Sequence, residues 1–389
     1  MSSDGLKRVL FVWQSSYPWE VRIDKMATSI KERGSHVGVL CRGKAGDAVT
    51  ENHEGVQLYR VMGRFNAPFP WNPVWKDALK KACADFKPTL IIVRDIPLAS
   101  VAASVAKSLK IPLILDMAEH YPGAMRSWKK YQESFILRTL VHHLKLPDMV
   151  EAHAVRSIDG IITVCEEQID RLVSQYKLPR EKAVVVNNTP MRSWFKDGKI
   201  GVRSPVKVLG HHGHMTPERG LNVLLHGFAL IKDEFKDLEL HLAGSGESAK
   251  EVGDLINELK INDRVKLIGR FKHEELVKLY GEIDIGVLPY PPNELINHTL
   301  SNKIFDYMAM GKPVLTSSAT PMTRLIKRTG AGLCFAPWSA LALAESLRNI
   351  LKSDLQHLSK AGVEAFTTEY HWENDFNRMS EFVDRLQSR

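Results

Sequence analysis

An α/β architecture of two doubly wound, parallel-sheet domains is predicted by three observations. Short runs that are apolar throughout alternate with helical patterns along most of the chain. One polar, basic stretch with glycine and proline, 191–205, breaks that rhythm midway, after which it restarts. The 389 residues suffice for two domains of ordinary size with a deep cleft between them. Strands apolar on both faces must be covered on both, as the crossover helices of a parallel sheet do.

In the first half the runs are KRVLFVW (7–13), HVGVLC, VQLYRVM, TLIIVRD, PLILDMA, GIITVC and AVVVNN. A helix over about 21–33 stops at Gly34, and SVAASVAKSLK and EEQIDRLVSQY supply further helical patterns. After 191–205, read as a linker, come VKVLGHHG, LELHLAGSG, RVKLIGR, IDIGVLPY, PVLTSS and AGLCFAP, with a last helix near 372–387. Ligands of such sheets bind beyond the carboxyl ends of the strands, so the loops after strands carry the functional information.

The net charge of +8 suits an anionic substrate or an anionic membrane surface. No nucleic-acid motif is present, and basic and aromatic residues do not interleave along a sheet. Four separated cysteines show neither zinc spacing nor a disulfide framework, which points to a reducing, cytoplasmic setting. The N-terminus lacks a signal-peptide core, and no run approaches the length of a membrane span. QSSYPWE after the first strand has no glycine, so the dinucleotide fingerprint is missing and a nicotinamide enzyme is disfavoured.

Arg22, with Glu20 and Asp24, stands at a helix start and reads as cleft-facing or as a solvated first turn. Asp116, Glu119 and His120 cluster after PLILDMA, where acid and imidazole can hold hydroxyls, shift protons or cap the next helix. In HHGHMTPERGL, Thr216 can cap and Pro217 suits the first helical position. Gly213 precedes His214, and His214 and Arg219 can reach a phosphate at that helix end. His211 and His212 alternate across a strand, so with His214 they cannot easily share one metal ion; no metal is expected. Gly244, with Ser245 and Gly246, lets a ligand approach the backbone, and Arg270 closes the next strand near a candidate base site.

The richest stretch is HTLSNKIFDYMAMGKPVLTSS, 298–318. Ser301 is the expected N-cap, Asn302 follows it, and Gly311 ends the helix. Lys303 in the first turn opposes the helix dipole unless an anion is bound there. Asp306, one turn on, can take both hydroxyls of a ribose. The same pair reads equally as a surface ion pair on a core helix. The segment 126–146, with Arg126, Trp128, Lys129, Lys130 and Tyr131, carries the stripe Leu137, Leu140, Val141, Leu144. With Phe69, Trp71, Trp75, Lys76, Lys80 and Lys81 it reads as core or as a basic-aromatic membrane face.

Taken together, SNKIFDYMAMGKPVLTSS, GHMTPERGLNVLLHGF, LHLAGSG, VKLIGRFKHEELVKLYGEIDIGVLPY and YHWENDF resemble glycosyltransferase family 4, of GT-B fold, over nearly the whole chain. The resemblance implies an acceptor-binding domain, 1–195, joined by a returning helix, 370–389, and a nucleotide-sugar domain, 203–369. It implies that Arg219 and Lys303 hold the diphosphate, Asp306 the ribose, and Arg270 the base. His298 stands where the family has the first acid of its Glu–seven residues–Glu motif, and His214 where an arginine is usual. The usual first-domain histidine aligns near Ala118, and the glycine-rich first loop is missing. The Asp116-to-Glu119 spacing fits a polysaccharide and cell-envelope branch.

The expected activity is retaining transfer of a hexosyl or N-acetylhexosaminyl group from a nucleotide sugar, UDP foremost, to a sugar or lipid-linked acceptor. It is expected to need neither cofactor nor metal. The expected location is cytoplasmic, with the inner membrane face as a second expectation. Glu119, His120, Lys303 and Arg219 are the candidate catalytic residues. Two rivals stand beside this reading: a nucleotide-sugar 2-epimerase, and a non-catalytic relative that binds nucleotide or a partner.

Overall fold

The computed structural model describes residues 6–388 apart from 19, 197, 199 and 200; the side chains of Lys130 and His273 also lie outside the description. The expected contribution of Lys130 to a basic face, and part of the 191–205 stretch, therefore fall outside the described residues.

Two compact units divide the chain, 1–187 with 375–389, and 188–374. The first contains β1 (Arg8–Val12), β2 (His36–Arg42), β3 (Thr50–His53), β4 (Val56–Val61), β5 (Leu90–Arg94), β6 (Leu113–Met117), β7 (Gly160–Thr163) and β8 (Ala183–Val185). Among the described residues these form one sheet, ordered β3-β4-β2-β1-β5-β6-β7-β8. It is parallel except for β3, which pairs antiparallel with β4. The sequence TENH has no apolar run to announce a strand. The Glu54-Gly55 turn, both residues at positive φ, folds it back as a tight hairpin.

The second unit contains β9 (Val208–His212), β10 (Glu239–Ala243), β11 (Val265–Ile268), β12 (Ile285–Leu288), β13 (Val314–Ser317) and β14 (Gly332–Phe335). Their order is β11-β10-β9-β12-β13-β14, all parallel. Each sheet reverses its winding once. The reversal falls between β1 and β5 in the first unit and between β9 and β12 in the second. A crevice opens beyond the strand ends at such a reversal, because neighbouring crossovers leave in opposite directions.

Two expectations are corrected here, and one pair of alternatives is decided. The boundary falls before 191–205, and that stretch is no free linker. Phe195 is buried against Tyr280 and Phe366, and Arg203 Nε donates to Asp284 at 2.6 Å. Trp75 is wholly buried, its indole N–H donating to the Asn66 carbonyl at 3.0 Å, so it belongs to the core. The apolar stripe of 126–146 is broken. That segment is three short helical pieces and a π-turn, Val141 is buried, and the exposed apolar side chains are Phe135, Ile136, Leu144 and Leu146. The physical reason is local: Trp128 and Ser134 adopt extended backbone and stop each piece. Among the described residues, no helix is long and apolar enough to cross a membrane.

The C-terminal helix, Trp372–Gln387, starts in the second unit and continues in the first. There Ser380 and Asn377 accept from Arg33 at 2.8 and 2.6 Å, and the Asp375 carboxylate accepts from the Asn187 N–H at 2.9 Å.

Candidate active site

In the second unit, the loops after β9, β10 and β12 meet the start of the helix Lys303–Ala309. Gly213 has φ +131°, and a Cβ there would strike Cε and Nζ of Lys303, so the lysine arm lies folded along the β9 loop. A Cβ at Gly244, φ +139°, would strike the Gly213 carbonyl, so the β10 loop packs backbone to backbone against it. The Gly213 N–H donates to Ala243 O at 2.8 Å and the Met215 N–H to Ser245 O at 3.0 Å.

Arg219 ends a 3-10 turn, Pro217–Arg219, ahead of the helix Leu221–Ala229. Its guanidinium sits 4.9 Å from the Tyr290 ring centre, and its Nε is buried without a hydrogen-bond partner. Tyr290 lies two residues past β12, and its hydroxyl is 3.5 Å from Ser301 Oγ. Burial would raise the pKa of this phenol, but Lys303 and Arg219 outweigh burial and hold it below the ordinary value. Two cations therefore converge on one side chain. Among the described residues neither has a carboxylate partner.

Beneath them lies His211, whose Nδ1–H donates to Val287 O at 2.9 Å. That bond fixes the tautomer and leaves Nε2 a buried acceptor without a partner. Burial first, then Lys303 and Arg219, push its pKa down to about 3. His212, buried against Tyr280 at 4.7 Å, is pushed down to about 3 by burial and the same neighbourhood. Both imidazoles are neutral at working pH, so the positive charge here is that of Lys303 and Arg219. Lys303 and Arg219 are thus brought together at the winding reversal of this sheet, with Gly213 and Ser301.

The remaining predicted residues are placed as follows. Ser301 is not the N-cap. Asn302 occupies that position, and no side chain caps the first turn, because Ser301 Oγ faces Tyr290. Thr216 likewise makes no side-chain cap. Asp306 is buried and accepts from the Tyr280 hydroxyl at 2.9 Å, rather than forming a surface ion pair. Arg270 is exposed, its Nε donating to Ser245 Oγ at 2.9 Å beside Gly244. His214 is exposed, and His298 ends a 3-10 turn with Nδ1 at 2.8 Å from Glu294 O. Tyr290 was not singled out from sequence, and His211 was considered there only as a metal ligand. Their signal was position alone: each sits at or just past the end of a strand flanking the reversal.

In the first unit, Arg22 and Asp116 are 1% exposed and form a bidentate pair, Nη2 to Oδ1 at 2.8 Å and Nε to Oδ2 at 2.9 Å. Arg22 also donates to Val186 O at 3.1 Å. Neither offers surface to an acceptor. The acceptor-facing reading of this pair is corrected to a buried clasp between the first long helix, β6 and the segment after β8. Arg22 and its neighbour Arg94 hold the Asp116 pKa below the ordinary value against the opposing effect of burial. Glu119 is exposed while His120 is buried at the start of the helix Tyr121–Ser127, its side chain making no cap. Asp116 and Glu119 therefore do not act as one acidic pair.

Two doubly wound parallel sheets, each with its winding reversal, with unneutralised cations gathered at the second, define a GT-B protein. The chain belongs to the glycosyltransferase family 4 group. Residues 206–353 match the family described as Glycosyl transferases group 1, and residues 19–189 match Glycosyl transferase 4-like domain. An uncharacterised glycosyltransferase of Methanocaldococcus jannaschii is 25% identical over 55% of this chain and 57% of its own. The chain spans about half the length of the curated relatives it matches. Sucrose-phosphate synthase from Thermosynechococcus elongatus superposes with a TM-score of 0.80 at 18% identity, over 98% of this chain and 99% of that one. HepE of Anabaena in complex with UDP superposes with a TM-score of 0.74 at 16% identity, over 98% of this chain and 100% of that one.

Proposed function

We propose that the chain is a retaining, metal-independent glycosyltransferase that takes a hexosyl or N-acetylhexosaminyl group from a nucleoside diphosphate sugar, UDP foremost. The acceptor is a sugar or lipid-linked glycan of polysaccharide or cell-envelope synthesis. The observation that carries this reading is the pair of cations, Lys303 folded along Gly213 and Arg219 stacked on Tyr290, without a neutralising carboxylate among the described residues. A diphosphate supplies the missing charge, and the uncapped amides at the start of the helix Lys303–Ala309 add donors. The UDP held by the Anabaena relative of the same fold supports the choice of nucleotide.

In the reaction, the bond from the sugar C1 to the β-phosphate oxygen breaks and a bond from the acceptor oxygen to C1 forms on the same face. The acceptor proton passes to the departing phosphate, whose charge Lys303 and Arg219 hold; no metal is required for that neutralisation. Asp306 holds the ribose, in exchange for or beside its bond to Tyr280, and Arg270 lies by the base. The protein works in the cytoplasm. Exposed Phe69, Trp71, Phe135, Ile136 and Leu144, with Arg138 over the Phe135 ring, support a stay at the inner membrane face.

Thermal unfolding with UDP, GDP and dTDP and their sugars is the first test, since ligand at a hundred times its Kd adds about 2.7 kcal/mol. The Lys303→Ala protein should fold and lose transfer by about a hundredfold or more. Near-normal turnover of that variant would remove the phosphate assignment. Donor isomerisation without acceptor would instead identify an epimerase.

A further inference from the structure

We propose that Asp95 is the residue in the first unit that holds a hydroxyl of the acceptor, and that its surroundings select a neutral sugar over an anionic one. This rests on the reading above that the first unit takes the acceptor.

Three independent observations converge on Asp95. It follows β5 directly, at the strand end bordering the β1/β5 reversal; in the second sheet Tyr290 lies just past the corresponding strand end. Its backbone is left-handed, φ +61°, and is held there by its N–H donating to Asp116 O at 2.9 Å. A non-glycine residue in that region is uncommon, and such conformations gather at functional sites. Its carboxylate is poorly served. Arg94 Nη1 lies 3.4 Å away, but Arg94 is shared with Glu20 at 3.6 Å and Asp116 at 3.5 Å. Among the described residues Asp95 has no other side-chain hydrogen bond.

The groups that face it are Arg94 on its own strand, Asp116 on β6, Glu119 after β6 and Glu20 before the first long helix. Tyr121, hydrogen-bonded to Gln14 after β1, is near enough to feel its charge. Burial and the three neighbouring carboxylates, against the pull of Arg94, raise its pKa to about 7. Such a carboxyl can both donate to and accept from a sugar hydroxyl at working pH. Around Asp95, the carboxylates of Glu20, Asp116 and Glu119 stand against Arg94 alone, since Arg22 is paired with Asp116, so no cation is left over for a phosphate or uronate. A neutral hydroxyl is the group that fits.

The experiment uses the full chain saturated with UDP and follows binding by saturation-transfer NMR at pH 6 and pH 8. The probes are methyl α-D-glucopyranoside, octyl β-D-glucopyranoside and sodium glucuronate. Asp95→Asn preserves shape and tolerates the left-handed backbone, and Asp95→Gly removes the carboxyl while accepting the same φ. Circular dichroism and Tm establish that both fold. The expected result is binding of a neutral glucoside by the wild type and about tenfold or greater weakening in Asp95→Gly. The pH dependence of that affinity should vanish in Asp95→Asn, and glucuronate should bind more weakly than the glucosides. Equal affinity in all three proteins, preference for glucuronate, or no glucoside binding by a wild type that binds UDP each overturns the proposal. A wild type that fails to bind any nucleotide overturns the donor reading instead.

Discussion

The Arg219 guanidinium lies over the Tyr290 ring, 4.9 Å from its centre, within reach of a cation–π contact. The arginine reaches that position from a 3-10 turn after β9, and the tyrosine from just past the end of β12. The stack therefore ties together the two strand ends that flank the winding reversal.

Tyr290→Phe keeps the ring and loses only a hydroxyl 3.5 Å from Ser301, so UDP affinity should stay within about threefold. Tyr290→Leu removes the cation–π contact, worth about 0.5–2 kcal/mol, and UDP affinity should fall by about 3- to 30-fold. Calorimetric titration of UDP into the two variants distinguishes an aiming ring from a spacer.

Asp116→Ala should be destabilising without touching the nucleotide. It leaves the Arg22 guanidinium buried beside the Val186 carbonyl with no counter-charge, a loss of about 3–5 kcal/mol. Urea unfolding should show a lower midpoint at unchanged slope. A midpoint equal to wild type would mean the clasp is exposed in solution.

Stability should respond to pH through two opposing groups. His211 and His212, with folded pKa near 3, are neutral and stable above about pH 6.5. As pH falls below that value the unfolded chain binds protons that the folded one refuses. Each histidine then removes up to about 1.4 kcal/mol per pH unit. Asp95, raised to about 7, behaves oppositely: its contribution falls as pH rises from about 4 to 7. Asp95→Asn should therefore be more stable than wild type at pH 8 and level with it near pH 4. Unfolding midpoints across pH 4 to 8 test both signs.

Chelation should leave transfer intact. Among the described residues no three His, Cys, Asp or Glu side chains are grouped to hold a metal ion, and the proposed diphosphate seat is Lys303 with Arg219. Turnover that collapses in EDTA and returns with magnesium or manganese would contradict this.

Much of the fold could be read from the order of residues, because a strand buried on both faces must be apolar throughout, and such runs announce themselves. Lys303 and Arg219 stood out for a local reason: each is a cation at or just ahead of a helix start, an arrangement that suits an anion. The strand β3 was not legible, since TENH pairs through its backbone and carries no apolar pattern. Trp75 was left between core and membrane face, because an indole beside lysines looks the same in sequence whether it points inward or out; the fold places it in the core.

What the sequence by itself determined is the two-sheet architecture, and it singled out Lys303 and Arg219, which the fold brings together at the reversal of the second sheet. Which carboxylates are spent and which are available was decided only by tertiary structure. Asp116 looked reactive and is consumed by Arg22, a residue 94 positions away. Asp95 carried no signal in the sequence and is left with a shared arginine, because three-dimensional proximity gave Arg94 three acids to serve. Pairing of buried charges depends on distances of a few ångströms between distant segments, and no local pattern in the chain encodes them.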